Sequence, residues 1–568
     1  MMSNDRLEKG NPMRTHKTLF LGAFVALGLG GCPSDPATDA GADAPIGSDT
    51  PVSTDAPSGT DAPVATDAPS GTDAPGTDAP GTDAPVASCP AESARPTVMV
   101  MGDIAANQTW TCANNYLLAG GPVFIQAGVT VTVEPGVVVR GEVRDGTRRC
   151  AGGAMDGMTC TADSDCAGGT CGMPAELGTA LVVQRGGRLV ANGTAEQPIV
   201  FTSENTGTST APAPGDWGGI VLLGAAPTNN DPPDGAQIEG LPTDGRGSYG
   251  GSDAAHDCGA LTYVRIEYAG FVFGRNNELN GLTVGGCGTG TELHHIQVHR
   301  GLDDGIEFFG GTVSVHHAVV TGTGDDSLDW DLGWTGNVQF YIAQQRDVPG
   351  EERCIEGDNH PSLFSRTPRT APVVYNFTCI GAGNAPGVTD TRRATLAHDS
   401  VILRRGSAGT IRNSIFYGSP DRGIQIDDQE TGTPSMPPAD SDTVQLYTTG
   451  VIVIENNILF DIGDTGTEAV FTSDPLRAGG ATTRTSAEIV ADLLADNRNV
   501  DPSFGGDPND LLNPDFSPSA AVAGDAANLS AVPSTPAGFW ESVSYSGAVD
   551  PASTPATAWY AGWTRFTD

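Results

Sequence analysis

Between His294 and Asp331 the chain writes one unit twice, at an offset of 22 residues. His294-His295 returns as His316-His317, Asp303-Asp304 as Asp325-Asp326, Glu307 as Asp329 and Phe308 as Trp330. A period just above 20 residues, with β-branched residues and glycine punctuation, marks a solenoid coil. Parallel strands stack about 4.8 Å apart, so a repeat in sequence becomes a column of like side chains in space. The expected fold class is all-β: a right-handed parallel β-helix (solenoid) with a C-terminal cap. The 76 glycines and few lysines fit many short strands joined by turns.

Arg6, Lys9, Arg14 and Lys17 precede an apolar run over residues 19–29 that is too short to span a bilayer. Residues 1–31 therefore read as a signal peptide, and the part from Met13 is a compact signal by itself. Leu29-Gly30-Gly31-Cys32 resembles a bacterial lipobox, and the resemblance implies that Cys32 is diacylated. The expected location is the cell envelope, with the chain lipid-anchored to the outer membrane on its surface or periplasmic face. Residues 33–88 contain no Lys, Arg or aromatic residue, and Thr-Asp-Ala-Pro occurs six times between Thr54 and Pro85. Such a stretch buries nothing and its prolines favour extended backbone, so residues 32–88 read as a disordered tether.

The formal charge of −40 divides into +2 for residues 1–32, −10 for the tether and the remaining −32 for the body. A body that acidic repels nucleic acid and anionic lipid, which excludes nucleic acid as a partner and leaves cationic ligands and metal ions open. Setting Cys32 aside leaves ten cysteines, an even number in an exported chain, so disulfides are expected. Cys150, Cys160, Cys166 and Cys171 crowd one glycine-rich insertion near residues 150–171. Their spacing also suits zinc, but no histidine lies near and the compartment is oxidising.

The body, residues 89–485, reads as successive coils. Val131-Thr-Val-Glu-Pro-Gly136 closes an opening that resembles the first coil of bacterial surface β-helix proteins. Further on, an apolar residue, any residue, then His or Asn recurs at His295, His317, Asn376, Asn413 and Asn456. First and third positions of a strand share a face, so these side chains are expected inside, in the hydrogen-bonded ladder for which β-helix families use asparagine. Coil spacings of 22, 23, 36, 37 and 43 push the excess into loops near 346–370, 382–400 and 428–448. From residue 486 the pattern changes. Residues 486–497 read as an amphipathic helix with a serine N-cap, and the aromatics from Phe539 to Phe566 read with it as a cap over the open end rung.

A second register aligns Asp304-Gly-Ile-Glu307, Asp326-Ser-Leu-Asp329, Arg353-Cys-Ile-Glu356 and Arg422-Gly-Ile-Gln425. With the apolar residue inward, Glu307, Asp329, Glu356 and Gln425 form one outward column, and Phe309, Asp331, Asp358 and Asp427 a parallel one. Asp304, Glu307, Asp326 and Asp427 are the expected ligand-binding residues. Asp329, Asp331, Glu356 and Asp358 are the expected ligands of Ca²⁺, the one candidate cofactor, which takes six to eight oxygens. The same acids also serve as turn formers and solvated surface charge. Catalytic residues stay unassigned, although carboxylates one coil apart lie near the ~5–5.5 Å spacing of retaining glycosidases. His294 and His316 are expected outward; two such ligands are too few for zinc or copper, so they read as surface polar residues.

At fold level the chain resembles pectate lyases and polygalacturonases. Gly324-Asp325-Asp326 is similar to the paired aspartates of the latter, but their Gly-His-Gly and Arg-x-Lys have no counterpart, and Arg404 and Arg405 are base candidates without a motif. Across Gly305-Ile-Glu-Phe-Phe-Gly-Gly-Thr-Val313, Gly324-Asp-Asp-Ser-Leu-Asp329 and the segment from Trp559 to Phe566 the chain resembles a group of bacterial β-helix lipoproteins, which implies fold and export and supplies no catalytic residues. The expected function is a non-catalytic surface binding or adhesion module for a glycan or matrix ligand, with Ca²⁺ as a candidate cofactor and a polysaccharide lyase or glycoside hydrolase as the alternative.

Overall fold

The computed structural model describes residues 89–568, apart from 144–148, 152–166, 169, 173–177, 231, 233–234, 275–276, 349, 351, 397, 428–442, 464–470 and 474–483. The signal peptide, the tether, Cys32 and most of the cysteine insertion lie outside these residues. Residues 89–568 form one compact unit, a parallel β-helix with three strand segments to each coil. One face is a ten-stranded parallel sheet running from Val123–Ile125 through Leu282–Gly285, Ile306–Phe309, Leu328–Asp331, Arg353–Gly357, Asp399–Leu403 and Ile424–Ile426 to Phe471–Ser473. The other two faces merge into a 17-stranded sheet.

That merger has a local cause. The strand Gly259–Glu267 pairs through its first half with Arg188–Asn192 and through its second half with Ile199–Ser203. Between the halves Tyr263 sits at φ 50°, and the corresponding residues of later coils, His295, His317, Phe340, Asn376, Asn413 and Asn456, lie between φ 52° and 59°. One left-handed residue bends the chain from one face to the next without a loop. It costs about 1–2 kcal/mol for most side chains and least for asparagine, which explains three asparagines in the column.

The left-handed residue also resets side-chain alternation. Leu293, Ile296 and Val298 point into the core, so His294 and His295, which lie between the first two, both fall outside. The expected inward ladder at His295, His317, Asn376, Asn413 and Asn456 is thereby corrected: these side chains face outward under the C-terminal segment. Asn413 donates to Ser530 O and accepts from Ser530 N, both at 2.8 Å. Asn376 donates to Tyr545 O at 2.9 Å. A true ladder runs one residue later, inside: Asn457 Oδ1 accepts from Ser414 N at 2.9 Å, and Asn497 Oδ1 from Asn457 N at 3.0 Å.

The core is a continuous column of Val, Ile and Leu with Trp217, Trp330 and Trp334 fully buried. Coil register follows the spacings read from the sequence, Leu293 against Val315, Val338, Val374, Ile411 and Ile454 in turn. Among the described residues, the disulfides Cys89–Cys112, Cys258–Cys287 and Cys354–Cys379 tie adjacent coils. The expected loop over 382–400 ends instead in the strand Asp399–Leu403, by which the coil between Val374 and Ile411 joins the ten-stranded sheet.

Residues 486–568 divide in two. The helix Ser486–Asp496 begins at a Thr485–Glu488 capping box, so the N-cap is Thr485 rather than serine. Its Ile489 and Leu493 enter the main core beside the last coils. The aromatic tail runs back along the side of the large sheet: Gln297 meets Arg565, and Arg346 and Arg300 meet Asp568. Among the described residues no helix is long and apolar enough to cross a membrane.

Two hydrogen bonds of about 1 kcal/mol each, plus the left-handed backbone, set the worth of Asn413. Asn413→Ala should destabilise the protein by about 3 kcal/mol in chemical denaturation, and Asn413→Gly by about 1 kcal/mol less, since glycine keeps the bend. Equal losses would show that the left-handed bend does not select the residue.

Candidate functional site

Outside the ten-stranded face, the early coils are apolar and covered. Phe124, Val182, Val221 and Leu223 pack under Ile238, Leu241 and Tyr249 of the hairpin that pairs Ala236–Gln237 with Ser248–Tyr249. That apolar cover ends at Phe309, 6.3 Å from Tyr249 between ring centroids. From Glu307 to Glu356 the same outward positions carry acids.

The register is as expected over three coils. Ile306, Leu328 and Ile355 align inward, Glu307 lies against Asp329, and Asp329 against Glu356. Phe309 opposes Asp331, and the pairing of Trp330 with Gly357 sets Asp331 beside Asp358. The corner before each strand is tight: a Cβ on Gly305 would stand 2.5 Å from Val320 Cγ1. There Asp304 is buried and its Oδ1 accepts the backbone N–H of Asp326 at 2.8 Å, a coil-to-coil bond. Asp304 and Asp326 are thus built into the corner, while Glu307, Asp329 and Asp331 are half-buried on the face. Asn280, one coil back, donates to Glu307.

The column then departs from expectation. The strand Asp399–Leu403 intervenes, so Glu356 pairs with Ile402, and Gln425 follows Ile402 rather than Glu356. Directly after this strand come Arg404 and Arg405. Arg404 Nε binds Asp358 at 2.9 Å and Arg405 Nη1 binds its other oxygen at 2.6 Å. Glu356 is bonded by both Arg404 and Arg353. Asp427 lies one coil further, its N–H on Leu403 O at 2.8 Å. Of the four residues expected to hold Ca²⁺, Glu356 and Asp358 are therefore neutralised by guanidinium groups. The carboxylates that approach most closely lie one coil earlier: Asp304, Glu307 and Asp329 each bring an oxygen within 4.8 Å of the others, as do Asp303, Asp304 and Asp325. The site is all oxygen, a donor set that fits Ca²⁺.

The electrostatics split along the face. Burial first, then neighbouring carboxylates, push Asp304, Glu307, Asp326 and Asp329 well above the ordinary carboxylate range. Asp331 is raised to about 8 by burial and by Asp358. Burial would raise Asp358 too, but Arg404 and Arg405 hold it below the ordinary value. The two neighbouring acids are therefore driven in opposite directions. Sequence reasoning named Arg404 and Arg405 only as base candidates and did not pair them with Glu356 and Asp358, because the intervening strand carries Ile402, not a polar residue, at the column position; it did not single out Asn280.

Asp331 gives a pH prediction. Its folded pKa of about 8 exceeds the ordinary 3.8, so the native state keeps a proton that the unfolded chain releases across that window. Stability from this group falls as pH rises from about 4 to 8 and levels off above. Asp331→Asn has no proton to lose and keeps the acceptor for Leu332 N. Its melting temperature should exceed that of wild type at pH 8–9 and converge with it near pH 4; the opposite trend would contradict the raised pKa.

A family model described as a pectate-lyase-like β-helix domain matches residues 156–491, more than half of the chain. A search of curated proteins finds no match. Among solved structures, the Siphovirus 9NA tailspike receptor binding domain aligns at 9% identity over 69% of this chain and 78% of its own, with a TM-score of 0.19, a likeness too distant to bear on function. Family match, three-faced coil and parallel register agree, and the chain belongs to the pectate-lyase-like β-helix domain family.

Proposed function

We propose that this chain is an exported, lipid-anchored β-helix protein that binds a polysaccharide along the acidic part of its ten-stranded face, with Ca²⁺ bridging sugar and carboxylates. The observation that carries this reading is the row Glu307, Asp329 and Asp331, half-buried and in register, between the apolar hairpin cover on one side and the arginine-paired Glu356 and Asp358 on the other. Such a row offers acceptors to sugar hydroxyls at a repeat of one coil, and the Asp304, Glu307 and Asp329 oxygens suit a hard cation. Glycan binding by Asp304→Asn, Asp329→Asn should weaken at least about ten-fold, and Ca²⁺ should strengthen binding to wild type only. Equal binding by both proteins, measured calorimetrically over acidic and neutral polysaccharides, would remove the face from the reading.

One observation favours a second reading, glycoside hydrolysis. Asp331 is driven toward the protonated form and its neighbour Asp358 toward the ionised one, the division of roles that an acid and a base or nucleophile need. Elimination chemistry is less well served, because Arg404 and Arg405 are committed to ion pairs and a guanidinium does not give up its proton. Release of reducing ends that disappears in Asp331→Asn would decide for hydrolysis over binding.

Anchoring rests on the Leu29-Gly30-Gly31-Cys32 signature. Cys32→Ser should lose fatty-acid labelling and leave the membrane fraction; a variant still labelled would sink the anchor.

A further inference from the structure

Away from the acidic face, the bend of the large sheet gathers His294, His295, His316 and His317 on one outer side. His294 and His316 are register partners. Their rings stack at 5.1 Å between centroids, and those of His295 and His317 at 4.5 Å. Because the left-handed residue turns two consecutive side chains the same way, the two Nδ1 atoms of each dipeptide meet, at 3.0 Å in His294-His295 and 2.8 Å in His316-His317. His294 is further engaged through Nε2 by Glu292 and Thr262.

The C-terminal segment brings a carboxylate to the second pair. Gln339, the register partner of His316, donates to Glu541 O and accepts from Glu541 N, both at 2.8 Å. This double bond to the backbone fixes Glu541 beside the histidines. One ligand atom each from His316, His317 and Glu541 lies within 4.8 Å of the other two. Phe539 stands edge-on to His316 and Trp559 to His317, while Glu541 is exposed, so the cluster meets solvent at the carboxylate.

We propose that His316, His317 and Glu541 bind a transition-metal dication of the zinc class, with a fourth position for water, and that the metal fastens the C-terminal segment to the β-helix. Two imidazoles and a carboxylate are borderline donors that suit Zn²⁺ and leave Ca²⁺ poorly served. On a tetrahedral zinc with bonds of about 2.0–2.1 Å, ligand atoms stand about 3.3 Å apart, close to the existing Nδ1 separation. Neutral imidazole is the form that ligates metal. Glu541 is the one ligand from the C-terminal segment, which links metal occupancy to docking of that segment.

The test uses the full-length protein, stripped by chelator and titrated with ZnCl₂ by calorimetry at pH 7.5, alongside Glu541→Gln and His316→Gln. Wild type should bind Zn²⁺ at this site at least about ten-fold more tightly than either variant, and Zn²⁺ should slow amide exchange over residues 530–568 in wild type alone. Glu541→Gln changes an exposed side chain and keeps the backbone bonds to Gln339, so it decides the matter even if His316→Gln folds poorly. Absence of Zn²⁺ binding by wild type, or equal affinity and exchange protection in Glu541→Gln, would overturn the proposal.

Discussion

Everything in this molecule depends on the backbone ladder between parallel coils. Each strand's N–H and C=O groups are satisfied only by the coil before and the coil after, so register is shared by the whole stack and every outward or inward position becomes a column. Inside, that places Val on Val and Ile on Leu, as in Leu293, Val315 and Val338, where burial favours it. Outside, the same geometry places Glu307 on Asp329 on Glu356, where it is unfavourable. The ladder makes like charges neighbours, and the acidic face is the set of ways in which the protein compensates for that.

The bend at the left-handed residue is the second consequence. A single residue that turns a strand onto the next face exposes two successive side chains to the same side, which regular alternation forbids. The strain of about 1–2 kcal/mol per residue is offset where rings pack on one another, as in Tyr263, His295, His317 and Phe340, at about 0.5–1.5 kcal/mol for each aromatic contact. Where the residue is asparagine, its amide instead holds the C-terminal segment, at Asn376 and Asn413. One column therefore performs two tasks: it closes the coil and it creates the track along which the tail is laid.

The columns were legible because periodicity survives in the sequence. The 22-residue offset fixed the pairing of His294 with His316 and of Glu307 with Asp329, and the later, irregular spacings located Val374, Ile411 and Ile454 correctly. Two things were not legible. The direction of His295 and Asn413 depends on a backbone angle that strand alternation does not encode, so a rule based on period two put them on the wrong side. The strand Asp399–Leu403 was hidden because it follows a long excursion and carries Ile402 where its neighbours carry Glu356 and Gln425. With that strand went the placement of Arg404 and Arg405, and with it the knowledge that Glu356 and Asp358 are already paired with guanidinium groups.

The missed strand also explains why the acidic face changes character along its length. On the side of the later coils, carboxylates are compensated by arginines that arrive from the next coil; this solution is permanent, since guanidinium keeps its proton and the ion pairs are largely shielded from water. On the side of the earlier coils, no arginine precedes Glu307 in the register, where Leu282–Gly285 contributes Thr283, and compensation falls to protons, to Asn280 and to whatever cation the oxygens can recruit. Protons and cations exchange with solvent, whereas an arginine on a rigid coil does not. The exchangeable end, Asp304, Glu307 and Asp329, is therefore the part of the face whose charge a bound ligand can change, and the arginine-locked end is the frame against which that change occurs.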